Sequence, residues 1–437
     1  MTRLRRLTLT NGLRVLLAPA PFAPAVAVAV HYDVGFRSEP EGRSGFAHLF
    51  EHLMFQGSAR YPKLEHWSYV QGLGGTANGS THQDYTDYYQ LVPERGLAGV
   101  LAMEADRMGF PLITDENLRN QRAVVKEEVG LNILNRAYGG FPWIPLPALL
   151  YRSYANTHNG YGEFTDLDRA TVDEARDFHA TYYAPSNAVL SIAGAFDEAA
   201  VAALVENLFG GLPARPKPDP ALLSEPPPVN PRHGDWADVH ASRPALALGH
   251  QLPDPARQLN AYVAWMTVCE LLTGGPTAPL EQRLVRDTGL AVRVTAGCGL
   301  FDSLDARAPD TLALVVTHHD HAEQDALLAV IDEEIERLTD PSTAASRLPV
   351  ATGRLSARVS RRNADLMART RALGACELLH GRAAVVDELP SITAEVTAQA
   401  VADAAGELLT GARAVLRLLP GRSAAGADGT TQKAALT

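Results

Sequence analysis

The sequence predicts an α+β protein of two homologous domains, each an antiparallel-rich sheet layered with helices. Three observations predict it. A proline-dense stretch from Leu212 to Arg232 (LPARPKPDPALLSEPPPVNPR) divides the 437-residue chain into segments of similar size, and a chain this long suits two cores of roughly 200 residues better than one. The two segments resemble each other. PAVAVAVHYDVG from Pro24 and PALALGHQLPDP from Pro244 are both buried-strand patterns, and each is followed about twenty residues later by an apolar helical run ending at glycine, FAHLFEHLMF or AYVAWMTVCELL. Finally, strand groups with hairpin signals and long separate helices fit α+β layers better than a regular βαβ series.

The elements follow in order. Strand-like alternation begins almost at once, with Asn11-Gly12 as a hairpin turn. AVLSIAGAF and TLALVVTH read as strands; AGVLAMEADRM, VDEARDFHATYY and EQDALLAVIDEEIERL read as helices. The expected division is a first domain over residues 1–212, a Pro-rich linker over 213–232 and a second domain over 233–420. The small, polar run at 421–437 is expected to be disordered.

Hydrophobic residues make up 46% of the chain and charged residues 20%, an ordinary globular balance. A net charge of -11 argues against nucleic acid as a partner and offers no polybasic membrane signal. No apolar run reaches the ~18 residues of a membrane span, so a cytoplasmic location is the expectation. Cys269, Cys298 and Cys376 lack metal-type spacing and read as reduced core thiols.

Chemistry concentrates in GFAHLFEHLMFQGS. On a helix His48 and His52 lie one turn apart on the same face, so two imidazoles can grip one metal ion with Glu51 beside them. The order H-x-x-E-H is the inverzincin pattern, the reverse of the commoner H-E-x-x-H. A catalytic zinc usually has three protein ligands, so a third must come from elsewhere. NQRAVVKEEVGLNI, a second helical pattern, carries the candidates Glu127 and Glu128. Helix neighbours point about 100° apart, so only one of them ligates comfortably. His318, His319 and His321 form another cluster, but with no Cys or patterned acid nearby they read as a solvated strand end. His82 reads as an ordinary loop histidine.

With these elements in place the chain resembles the pitrilysin/insulinase family of zinc peptidases, in the short two-domain form related to the mitochondrial processing peptidase. The resemblance runs through the H-x-x-E-H helix with Met54-Phe55-Gln56-Gly57, GGTANGSTHQDYTDYY from Gly74, NQRAVVKEE from Asn120 and FHATYYAPSNAVLSIAGAFD from Phe178. It implies a zinc-dependent endopeptidase holding one zinc ion per chain through His48 and His52, with Glu51 as general base. The family's third ligand ends a V-V-x-x-E pattern and so points to Glu128, with Glu127 adjacent. It further implies an outer strand, here around Ala77, Asn78 and Gly79, that holds extended peptide by backbone hydrogen bonds. A supporting glutamate seven residues before the ligand is replaced here by Gln121, which can hydrogen-bond but carries no charge.

The second departure concerns oxyanion stabilisation. The family's C-terminal half, or a partner subunit, supplies an Arg and a Tyr seven residues apart. In this chain Tyr262 is the only tyrosine after Tyr183, and Pro255 stands seven residues before it. The resemblance therefore implies a heterodimer in which a homologous subunit supplies the Arg/Tyr pair, a homodimer being the less favoured arrangement. The rival role is a non-catalytic structural or peptide-binding subunit. Expected substrates are unfolded peptides or leader segments.

Overall fold

The computed structural model describes residues 4–226 and 228–421, so residues 422–437 of the tail expected to be disordered lie outside the described residues. Its strands form two sheets whose wiring repeats. In the first, β1 (Arg5–Thr8), β2 (Arg14–Pro19), β3 (Val26–Tyr32), β4 (Thr76–Thr81), β5 (Thr86–Val92) and β6 (Ala188–Gly194) lie in the order β1-β2-β6-β3-β5-β4. In the second, β7 (Arg232–Asp238), β8 (Ala245–Gln251), β9 (Ala291–Cys298), β10 (Thr311–His318) and β11 (Ala414–Pro420) lie in the order β7-β11-β8-β10-β9. Leaving β1 aside, the orders correspond strand for strand. β2 runs parallel to β6 as β7 does to β11, and every other neighbouring pair is antiparallel. The duplication expected from the sequence is thus a duplication of topology, and the α+β class holds.

The central strands explain the likeness of PAVAVAVHY and PALALGHQ. Every residue of β3 is buried, and so is all of β8 except its last, because both strands lie inside their sheets and are covered on two faces. Between β3 and β4 lie α1 (Phe46–Leu53) and α2 (Glu65–Gly72); between β5 and β6 lie α3 (Leu97–Gly109), α4 (Asp115–Val129) and the helix Val172–Tyr182, among shorter helical segments. In the second sheet the helix Leu259–Thr273 occupies the place of α1 between β8 and β9.

The compact units interleave in sequence. The first comprises the chain up to Glu127, Asn159–Ala221 and Arg361–Asp387; the second comprises Glu128–His158, Leu222–Ser360 and the chain from Glu388. Each borrowed piece carries apolar side chains that cover a sheet. In the first unit Leu373, Cys376 and Leu379 of the helix Leu366–His380 pack with Leu16, Tyr85 and Val189. In the second, Leu146 and Leu150 of the helix Pro145–Leu150 pack with Ala245, Ala247, Leu416 and Leu418.

Gly374 lets the helix Leu366–His380 lie low on its sheet. A Cβ there would sit 2.4 Å from His31 Nδ1 and 2.8 Å from Ser191 Oγ, both in the sheet interior. Gly374→Ala is therefore expected to destabilise the fold by about 1–3 kcal/mol through overpacking, even though alanine is the better helix former. An unchanged urea midpoint would contradict that close approach.

All three cysteines are buried core thiols outside any disulfide, as their spacing suggested. Two of them are spatial neighbours, with Cys269 Sγ 3.8 Å from Cys298 Sγ, well beyond the ~2 Å of a disulfide.

Candidate metal centre

Helix α1 begins at Gly45, whose positive φ of 83° suits glycine and whose side chain cannot cap the helix. Glu39 does so instead. Its carboxylate accepts from the backbone amides of Gly45 at 2.8 Å and Ala47 at 2.7 Å, placing negative charge at the helix N-terminus. Phe46, Leu49, Phe50 and Leu53 then form a buried stripe at i, i+3, i+4 and i+7. Phe50 rests on Phe178 and Tyr183, with ring centroids 4.9 and 5.2 Å away. With that face committed to the core, His48 and His52 occupy a different one. Their rings lie 4.9 Å apart at an interplanar angle of 86°, and Tyr161 stands edge-on to His48 at 5.3 Å.

Helix α4 buries Leu118, Gln121, Val125 and Val129. Near its outer side Arg122 donates to the Asp168 carbonyl at 2.7 Å, and Lys126 pairs with the Asp168 carboxylate. Glu128 is half-buried and Glu127 is exposed. The structure brings His48, His52 and Glu128 together, one ligand atom from each lying within 4.8 Å of the others, and theirs is the only such group among the described residues. Two imidazoles and one carboxylate are a donor set zinc accepts, and three protein ligands leave a coordination position for chemistry. The residues present therefore fit the metal. Gln121 is 5% exposed and lies two turns before Glu128 on the same helix face.

Glu51 sits one residue before His52, half-buried, and its Oε2 accepts a hydrogen bond from Thr81 Oγ1 at 2.7 Å. Beneath it Tyr88 and Tyr183 join hydroxyl to hydroxyl at 3.1 Å. Burial pushes both phenols up, and the Glu51 charge adds to the effect, so both remain protonated.

Ala77, Asn78 and Gly79 lie on β4, the outer strand of the first sheet, paired on its inner side with Gln90, Tyr89 and Tyr88. Gly79 faces α1: a Cβ there would lie 3.1 Å from Glu51 Cγ. The opposite face of β4 is tied down by charge. Ser80 Oγ donates to Asp87 Oδ1 at 2.6 Å, and Arg371 donates to Asp87 Oδ2 and to Ser80 Oγ, each at 2.6 Å. Asp87 is fully buried, with His31 Nε2 3.5 Å away. Burial alone would raise the Asp87 carboxyl; Arg371, then His31 and His82, outweigh it and hold the group below its ordinary value.

Sequence reasoning missed Thr81 and Arg371. Alternation along β4 places Thr81 on the same face as Gly79, a signal that could have found it. No local pattern marks Arg371, which is 284 positions from Asp87. His82 contacts Ser80 Oγ at 3.0 Å and stacks on Tyr85, so it supports the strand's inner tie and is more than a loop histidine. His319 Nδ1 engages Arg243 at 2.9 Å.

Comparison with known proteins bears on the family and the fold. Residues 14–132 match the family model described as insulinase (peptidase family M16), and residues 169–345 match the peptidase M16 inactive domain, so the two cover more than half of the chain. The zinc protease PqqE of Helicobacter pylori is 30% identical over 301 residues, which span 65% of this chain and 64% of that one. An uncharacterized zinc protease of Streptomyces coelicolor, SCO5738, is 26% identical over 420 residues, covering 93% and 87%. Among solved structures, a protease from Helicobacter pylori superposes with a TM-score of 0.86 at 23% identity, covering 96% of this chain and 100% of that one. The first half of the periplasmic protease PqqL from Escherichia coli gives 0.77 at 19% identity, covering 95% and 92%. Family models on both halves, zinc-protease relatives and a shared two-domain fold converge, and this chain belongs to peptidase family M16, the insulinase family.

Proposed function

We propose that the chain is the catalytic subunit of a zinc-dependent endopeptidase that cleaves unfolded peptides or leader segments. The observation that carries this reading is the convergence of His48, His52 and Glu128, with Glu51 on the same helix. His48, His52 and Glu128 would hold zinc, which would supply Lewis acidity toward a carbonyl and a water. Glu51 would take a proton from the attacking water on its carboxylate and deliver it to the leaving amine nitrogen. The backbone of Ala77, Asn78 and Gly79 on the outer strand aligns an extended peptide by β-augmentation, reading main chain more than side chains. Gln121 supports the end of α4 that carries Glu128.

The reading includes a homologous partner subunit. Tyr262, the only tyrosine in the C-terminal half, is fully buried, and its hydroxyl accepts from the Leu304 amide at 3.1 Å, so it cannot reach substrate. The phenol and guanidinium that stabilise the oxyanion then come from a second chain. A cytoplasmic location, where the buried thiols of Cys269, Cys298 and Cys376 stay reduced, belongs to this reading; no described helix is long and apolar enough to cross a membrane.

The test is cleavage of a mixed pool of unstructured peptides by the zinc-loaded chain, alone and with a homologous subunit carrying Arg and Tyr seven residues apart. Activity in the mixture well above that of either chain alone is expected. Equal rates with and without the second subunit would overturn the split site. Zinc binding without cleavage in any combination would leave the structural or peptide-binding role.

A further inference from the structure

The side chain that would act as base and the strand that would hold the peptide touch at two points. Gly79 offers only its bare Cα to Glu51, where a Cβ would stand 3.1 Å from Cγ, and two residues later Thr81 Oγ1 lies 2.7 Å from Glu51 Oε2. At that distance the hydroxyl donates a charge-assisted hydrogen bond, stronger than one between neutral groups. A glutamate carboxylate turns about a broad terminal torsion, so anchoring one oxygen fixes the direction in which the other points. The anchor is itself held: Ser80, next to Thr81, is clamped by Asp87 and Arg371 from the opposite face of β4, and the Arg371 guanidinium lies 4.1 Å over the Tyr89 ring.

We propose that Thr81 is a positioning residue for Glu51, its hydroxyl holding the carboxylate through Oε2, so that a peptide pairing with β4 steadies the base as it is aligned. The proposal rests on the peptidase reading, in which Glu51 moves the proton. It assigns β4 two tasks: its backbone aligns the peptide, and its Thr81 hydroxyl holds the base.

Thr81→Val removes the donor at nearly constant shape, and Thr81→Ser keeps it. The experiment measures kcat and KM of the parent and both variants on one unstructured peptide in the presence of the partner subunit, their zinc affinity by chelator competition, and the crystal structures of the zinc-loaded proteins. For Thr81→Val, kcat is expected to fall roughly 10- to 100-fold, part of the ~10²–10⁴ a general base contributes, with KM and zinc affinity within about threefold of the parent. Thr81→Ser is expected to restore most of kcat. In the Thr81→Val crystal Glu51 is expected in more than one conformer, against one in the parent. An unchanged kcat, an equal loss in Thr81→Ser, or a Glu51 that stays in place would overturn the proposal. If the parent protein cleaves nothing even with the partner subunit present, the peptidase reading fails, and the crystallographic contrast alone decides whether Thr81 positions Glu51.

Discussion

Glu128→Ala is expected to weaken zinc binding on the order of 100-fold or more, while Glu127→Ala leaves it within about twofold. The two side chains are neighbours in sequence, so composition and local charge change alike in the two variants. Their places differ: Glu128 is half-buried with a carboxylate oxygen within 4.8 Å of both imidazoles, whereas Glu127 is exposed. Gln121→Ala should fall between them, because loss of a supporting residue costs roughly 10- to 100-fold in affinity. Chelator competition on the three purified variants checks the order. Equal losses at Glu127 and Glu128 would remove Glu128 from the ligand set.

Arg371→Ala is expected to cost about 3–5 kcal/mol of folding stability, since it strips a fully buried Asp87 of its principal counter-charge. The loss should depend on pH in a definite direction. In the parent, Asp87 sits below its ordinary value of 3.8, so its contribution is complete above about pH 4 and is lost only as pH falls through that lowered value. Without Arg371, burial dominates and the folded carboxyl rises above its unfolded value, so the variant is penalised increasingly as pH rises from about 4 toward neutrality. The stability gap between parent and variant is therefore larger at pH 7 than at pH 4.5, and Asp87→Asn in the Arg371→Ala background recovers part of it. Denaturant titrations at the two pH values settle this; a gap that widens at the lower pH would refute it.

These two expectations differ in how much of each was legible in the sequence. The H-x-x-E-H helix is local: periodicity places two histidines on one face, and the stripe Phe46, Leu49, Phe50 and Leu53 dictates which face is buried. The strand repeat is local as well, and the shared topology of the two sheets follows from it. Glu128 required the family pattern, because helix geometry alone separates two adjacent glutamates without saying which one meets α1. The ties around β4 lay further from view. Thr81 and Glu51 are 30 positions apart, and Arg371 and Asp87 are 284 apart, so both pairs depend on tertiary packing that no window of sequence contains. The borrowing of Arg361–Asp387 by the first unit was hidden for the same reason: its apolar face says that it packs, not on what.

The measurement that bears most directly on the peptidase reading is kcat for an unstructured peptide with the zinc-loaded chain, in the presence of its partner subunit, compared with Glu51→Gln at matched zinc content. Glutamine keeps the size of the side chain and removes its capacity to take a proton. A fall of roughly 10²–10⁴ with full zinc occupancy is the predicted result. Cleavage that persists unchanged in Glu51→Gln would contradict the account, because the proton would then be moved by some other group.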